Sequence, residues 1–596
     1  MDNQRNLLLA VVLSGLLILG WDMGMRYFYP EAAASAEPEG AATSAAAPAA
    51  PSDAGSADTA GAGAGAGGDA SVAASPAAAP RDLKSALATS GRIAIDTPRL
   101  AGSINPVGLR IDDVVLKDHR ESVSKQSGPV RLFAPEGTPN QYFAEFGFVT
   151  GGQRLPSTIR WQADNTRLTP QSPVTLTHTD AAGITYAVRF AIDDDYMITA
   201  DRTVTNGSDS ASIIQPFALI NRTSRHATAD EFLVHSGPVG VFGGTLWDDN
   251  NYDDLTKLGR DTPQGTASWL GFTDRYWLSA LVPGEGDVET AGFRSLGNTL
   301  FRTDLIYRPE TVPAGGAISQ ATRLFAGAKD SAILDTYEDT GIINFGKAIS
   351  WGWFQIIEKP ILWLLLQLHK LVGNFGVAII LLTVVIRGVM FPIAQKQFSS
   401  MAAMKAVQPK MKALQERFKD DKQRLQQEMM KLYKDEKVNP LAGCLPLVVQ
   451  IPIFFALYKV LILSIEMRHE PFILWVKDLS APDPAHILNL FGMLPFDVPG
   501  FLAIGPLAIL LGVTMWLTFR LNPAAMDPVQ QQIFAFMPWI LMFVMAPFAA
   551  GLLLYWVTSN VLTLAQQSYL YSKHPQLKAA AAQEKAEAER KKAAGS

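Results

Sequence analysis

The sequence predicts a polytopic α-helical membrane protein with a large all-β domain on one side of the bilayer and a helical hairpin on the other. Three observations carry that expectation. Apolar runs of membrane-spanning length cluster after Trp353, apolar and polar residues alternate through much of Asp82 to about Asp330, and basic residues gather in one short loop and in the C-terminal tail. Of the 596 residues, 48% are hydrophobic and 18% charged, and the mean hydropathy is +0.11, which points away from a wholly soluble chain. The single Cys excludes an intrachain disulfide.

Taken in order, residues 1–30 read as an N-terminal anchor: Leu7 to Gly20 is apolar, Arg5 precedes it, and Trp21, Tyr27, Phe28 and Tyr29 form an aromatic belt behind it. A cleavable signal peptide is the alternative, since Ala32 to Ala36 offers small-residue cleavage sites. Residues 31–80, almost wholly Ala, Gly, Pro and Ser, lack the apolar side chains that offset ordering entropy and read as a flexible tether. Residues 81–335 read as an all-β sandwich, with Ile184, Tyr186, Val188, Phe190 and Ile192 alternating up to a turn at Asp193 to Asp195. Its His178, His226 and His235 are scattered without metal-ligand spacing, so no metal is expected there.

Residues 340–370 suggest an amphipathic helix lying in the membrane surface, with Glu358, Lys359, Gln367 and His369 as its polar groups. Spans are expected at about 371–391, 445–465, 501–519, 533–546 and 552–571, which with the anchor make six transmembrane helices. Within 371–572, the loop 395–440 reads as two helices forming a hairpin, with Pro409 kinking the first. That loop carries 11 basic and 6 acidic residues, and the tail 573–596 carries 6 and 3. Both are therefore cytoplasmic by the positive-inside rule, as is the N-terminus. Residues 31–350, with 38 acidic and 25 basic side chains, then lie outside, so the net charge of −5 hides an acidic exterior and a basic interior.

Polar residues in the spans crowd toward the cytoplasmic half: Thr383 and Arg387, Gln450, Thr514 and Thr518, then Ser559, Asn560, Thr563, Gln566 and Gln567. A through-pore needs polar groups across the full thickness, so this distribution predicts a wet vestibule open inward and closed outward. Arg387 is the costliest group in it, at about 2.5 to 3.5 kcal/mol near the bilayer centre. Snorkelling to the inner headgroups is the alternative for Arg387, but no acidic residue inside the spans would pair with it. Lys459, by contrast, is expected to snorkel outward. No Gly-x-x-x-x-Gly-Lys phosphate loop, His-Glu-x-x-His or Gly-x-Ser-x-Gly occurs, so neither a nucleotide-driven machine nor an intramembrane hydrolase is expected. Cys444 reads as a structural thiol, and the chain is expected to use no cofactor and to act as no enzyme.

Several segments together resemble the YidC membrane-protein insertases. They are Gly373-Asn-Phe-Gly376 leading to Thr383-Val-Val-Ile-Arg-Gly388, Gln427-Glu-Met-Met430-Lys-Leu-Tyr433, Lys437-Val-Asn-Pro-Leu-Ala-Gly-Cys444-Leu-Pro446, Gln450-Ile-Pro-Ile-Phe-Phe-Ala-Leu-Tyr458 and Gly551-Leu-Leu-Leu-Tyr-Trp-Val-Thr-Ser-Asn560. The match covers about residues 340 to 572; the acidic exterior domain is similar to the Gram-negative form, which implies a periplasmic β-supersandwich and a bacterial inner-membrane location.

The resemblance implies a five-helix insertase core whose substrate groove is lined by Arg387, Thr383, Gln450, Thr514, Thr518, Tyr555, Trp556, Ser559 and Thr563. It also implies a hydrophobic slide around Ile451, Phe454, Met537 and Phe543. Trp556 stands where the family often has Tyr. The implied partners are nascent membrane proteins, the lipid bilayer, the Sec translocon (SecYEG, SecDF), and the ribosome and signal-recognition-particle receptor through the basic hairpin and tail, with no DNA.

Overall fold

The computed structural model describes residues 80–573 except 125, 225–233, 298, 419–420, 437–444, 492–493, 495–502 and 522–527. The expected anchor, tether and basic tail, together with His226 and Cys444, lie outside the described residues.

From Ile93 to Ala328 the chain is mostly strand, arranged as two sheets. Alternation fixes which face goes inward. In the strand Ile184–Ile192 the five residues Ile184, Tyr186, Val188, Phe190 and Ile192 are all buried, while those between them are partly or fully exposed. That strand pairs antiparallel with Met197–Asn206, Ile192 opposite Ile198. The turn between them is set by Asp193, whose carboxylate accepts from the amides of Asp195 and Met197, both at 3.0 Å.

Inner faces of the two sheets meet through aromatic rings. Phe146 meets Phe190 edge-on at 5.6 Å, and Phe148 meets Tyr186 at 5.1 Å. Arg202, fully buried between the sheets, donates to the carbonyl of Phe217 at 2.7 Å and lies over the Tyr307 ring. The β domain is thus a sandwich, as its alternation predicts. Two short helices, α1 (Leu83–Leu87) and α2 (Tyr252–Leu258), decorate it. Helix α3 (Ser331–Asp339) packs onto its end, where the Tyr337 hydroxyl donates to Asp193 at 2.6 Å.

Two 3₁₀ turns, Phe345–Ala348 and Gly352–Phe354, then lead into α4 (Gln355–Val372) and α5 (Phe375–Val389). The break between these helices is local chemistry. Gly373 closes α4 in the left-handed conformation at φ 68°, and the Asn374 side chain caps α5 by accepting from the Val377 amide. Leu371 and Val372, expected to open the second span, therefore end the preceding helix instead.

Next come α6 (Phe391–Arg417), continuous through Pro409, and α7 (Lys422–Asp435), linked by Lys410 to Glu436 at 2.5 Å. Helices α8 (Leu445–Leu463), α9 (Pro506–Leu521), α10 (Pro528–Met545) and α11 (Ala550–Lys573) complete the fold. Among the described residues, no helix is long and apolar enough to cross a membrane.

The sandwich is fastened to the helices at one end. Arg275 donates to the carbonyl of Ile462 at 2.8 Å, and Arg468 donates to that of Arg120 at 2.7 Å while lying over the Tyr276 and Trp277 rings. Lys359 pairs with Asp335 at 2.8 Å. His119 stands edge-on to Trp277 at 5.3 Å within the same contact. Burial holds its imidazole well below the usual range, at about 4, and the neighbouring Arg468 charge adds to the shift.

The amphipathic reading of α4 is corrected at Glu358. That side chain is fully buried, whereas Ile356 and Trp363 are exposed, so this helix turns apolar groups outward and a carboxylate inward. Lys459 is corrected as well. It does not reach outward; it is buried, and its Nζ donates to the carbonyls of Ser350 at 2.6 Å and Trp351 at 2.9 Å. Backbone oxygens replace the solvent that snorkelling would have sought.

Candidate functional site

Helix α11 is the hub on which the polar residues of the other helices converge. Its Tyr555 and Ser559 lie four apart and so share a face, with Trp556 and Asn560 on the adjoining one. From α8, Gln450 donates through Nε2 to the Tyr555 hydroxyl at 2.8 Å. From α5, the guanidinium of Arg387 donates through Nε to Ser559 Oγ at 3.0 Å, and its Nη2 bonds the same oxygen. From α9, the Thr514 hydroxyl accepts from Asn560 Nδ2 at 3.1 Å. Trp556 packs on Phe454 of α8, ring centroids 5.1 Å apart.

These three polar links join segments more than 40 residues apart in sequence, and each satisfies a group that would be costly to leave alone in an apolar bundle. Among the described residues no carboxylate lies within ion-pair distance of Arg387. One hydroxyl accepts from two donors on one edge of a guanidinium that has five, so the remaining N–H groups can take a further acceptor.

The threonines are less open than their side-chain type suggests. Thr383 donates to its own helix at the Ile379 carbonyl, Thr514 to Leu510, Thr518 to Thr514 and Thr563 to Ser559, at 2.6 to 2.8 Å. Each hydroxyl keeps only its acceptor lone pairs for another partner. Thr383 is fully buried, and Thr514, Tyr555 and Ser559 are nearly so, whereas Arg387, Gln450, Thr518, Trp556 and Thr563 are partly accessible. The polar set therefore divides into a buried layer and an accessible rim.

The apolar residues sort in the same way. Ile451 on α8 and Phe543 on α10 each leave 46% of their surface exposed, while Phe454 and Met537 are half-buried. Asn560 belongs to the polar set but is absent from the groove residues expected from the sequence; its place in the polar run Thr558-Ser559-Asn560 was the available signal. In the β domain, His178 lies between Trp161 and Tyr186, and His235 Nε2 sits 2.8 Å from the Pro238 carbonyl oxygen. No group of three or more metal-ligating side chains occurs among the described residues.

Known proteins resemble this chain along nearly its whole length. The model of the 60Kd inner membrane protein family matches residues 367–578, and that of the YidC periplasmic domain matches residues 92–364. The membrane protein insertase YidC of Beijerinckia indica is 42% identical over 584 residues, covering 96% of each chain, and that of Zymomonas mobilis is 41% identical over 583 residues, again covering 96% of each. The membrane protein insertase YidC of Nitrobacter hamburgensis is 43% identical over 594 residues, covering 96% of this chain and 95% of its own. Such names describe the insertion of membrane proteins and not the catalysis of a covalent reaction. The chain belongs to the YidC family of membrane protein insertases.

Proposed function

We propose that this insertase moves hydrophobic segments of newly made proteins from the cytoplasm into the inner membrane through a hydrophilic groove whose floor is the polar face of α11. The observation that carries this reading is the convergence of Arg387, Gln450 and Thr514, from three different helices, on two adjoining faces of α11. The accessible rim of Arg387, Gln450, Thr518, Trp556 and Thr563 is the wall a substrate meets. Thr383, Thr514, Tyr555 and Ser559 lie behind it and hold it in place.

Arg387 draws an acidic extracytoplasmic segment of the substrate into the groove by supplying its unused donors to a carboxylate. The apolar helix of the substrate meanwhile leaves along Ile451, Phe454, Met537 and Phe543, where exposed side chains already present an apolar surface. Transfer of about 20 apolar residues into lipid supplies far more free energy than the passage of one polar segment costs. Membrane potential adds about 2.3 kcal/mol per elementary charge per 100 mV in the direction that pulls acidic segments outward.

In this reading the chain spans the inner membrane six times with both termini in the cytoplasm, and residues of about 31–350 are periplasmic. The spans rest on the apolar runs of the sequence and on the family. Helices α6 and α7 form the cytoplasmic hairpin, which with the basic tail meets the ribosome and the signal-recognition-particle receptor; the core works alone or beside the Sec translocon. Insertion needs no cofactor.

Reconstitution tests the role of the charge. With the purified chain in liposomes and a single-span substrate bearing an acidic translocated tail, Arg387→Ala lowers protease-protected product several-fold and Arg387→Lys largely retains it. Equal product from the Ala variant and the parent removes the charge from the mechanism.

A further inference from the structure

The junction of α4 and α8 holds a charge arrangement that the groove does not use. Glu358 on α4 is fully buried, and both of its carboxylate oxygens lack a hydrogen-bond partner. A carboxylate so placed is costly unless a counter-charge acts on it. The charged side chain that acts on it is Lys459 of α8, itself buried and tied by Nζ to the carbonyls of Ser350 and Trp351 immediately before α4. Phe354 and Phe455 stack almost parallel beside them, 7° apart in plane at 6.4 Å. Gly352, at φ 65°, leaves room for the ammonium, since a Cβ there would stand 3.1 Å from Nζ.

We infer that Glu358 and Lys459 are positioning residues for insertion: Lys459 clasps the segment before α4 through the Ser350 and Trp351 carbonyls, and the buried, unpartnered Glu358 carboxylate of α4 supplies its counter-charge without a direct ion pair. Lys459 lies nine residues beyond Gln450 on the same helix, roughly 13 Å along its axis. Fixing that end of α8 sets the depth and rotation of Gln450, Ile451 and Phe454, which meet the substrate at the other end. This pair acts through α8 and touches no substrate. The inference rests on the proposed role of α8 in the groove.

A charge-coupling cycle tests it. When one member of a buried pair is removed, the other is left as an uncompensated charge, whereas removing both is far milder. In the reconstituted full-length protein, Lys459→Met lowers insertion by about tenfold, and adding Glu358→Gln to that variant restores it to within about twofold of the parent. Two further arms separate this claim from others. Glu358→Gln does not rescue Arg387→Ala, because that loss arises in the groove. Asp248→Asn does not rescue Lys459→Met, although Asp248 also lies within electrostatic reach of Lys459.

Failure of Lys459→Met to accumulate in membranes, with recovery in the double variant, supports the pairing equally. A double variant as impaired as Lys459→Met, whether in activity or in accumulation, overturns it, as does a Lys459→Met variant that inserts at the parental rate. If Arg387→Ala proves silent while the rescue holds, the role of the Arg387 charge fails and the positioning pair stands.

Discussion

Arg387 and Ser559, 172 residues apart in sequence, are joined by two N–H donors of one guanidinium on a single hydroxyl oxygen. This contact holds the strongly polar side chain near the end of α5 against the hub helix, and it leaves further donors of the fork for another acceptor. Charge and orientation are therefore separable by substitution.

Ser559→Ala keeps the charge and removes its anchor. A net loss of about 1.5 to 3 kcal/mol is expected for a bond to a charged group. Insertion of acidic-tailed substrates falls by a few-fold, less than in Arg387→Ala, and Ser559→Thr retains it. Protease protection in liposomes measures all three.

Trp556 stands on Phe454, and the contact is one of ring area, not of hydrogen bonding. Trp556→Tyr keeps an aromatic face there and is expected to insert at close to the parental rate. Trp556→Ala removes that face and with it the aromatic pair, about 0.5 to 1.5 kcal/mol beyond the area it buries, read as a lower melting temperature together with weaker insertion.

The contact between sandwich and helices is pH-sensitive through His119. Its folded-state value of about 4 lies below the ordinary 6.5, so the neutral form is favoured on folding and the stabilisation is complete above pH 6.5. As pH falls from 6.5 toward 4 it is lost, by at most about 2 kcal/mol at pH 5. Denaturation monitored between pH 7 and 5 is expected to show that loss, and His119→Phe is expected to flatten it. An unchanged slope in the variant assigns the acid sensitivity to other groups.

Arg468 reaches from the segment after α8 to the carbonyls of Arg120 and Glu121. Arg468→Gln removes the fork and its stacking on Tyr276 and Trp277 while leaving the sandwich core intact. Spin-label distances between the sandwich and α4 are expected to broaden, with the sandwich keeping its own melting transition.

Much of this architecture is legible in the sequence where one period dominates. Strand Ile184–Ile192 buries every second residue, and the polar residues crowded at Ser559 and beyond mark α11 as different from its neighbours. What the sequence hides are features fixed by a contact with a distant segment. The end of α4 at Gly373 is decided by a left-handed cap inside an apolar run. Lys459 finds backbone carbonyls more than 100 residues away, and no side-chain pattern announces a carbonyl acceptor. Glu358 counts in the sequence only as one polar group of an amphipathic helix, and no side-chain pattern announces its burial. The threonines are polar by type, but the sequence does not show that bonds to their own helices occupy their donors.

The groove itself is tested most directly by thiol labelling. Since the chain has a single Cys, Cys444→Ser gives a clean background for one cysteine each at positions 518 and 563. With a membrane-impermeant maleimide, both sites are expected to label in inverted vesicles, where the cytoplasmic face is outermost, and to resist labelling in right-side-out spheroplasts. Protection in both preparations, or labelling from the periplasmic face, would contradict a water-filled groove that opens only inward.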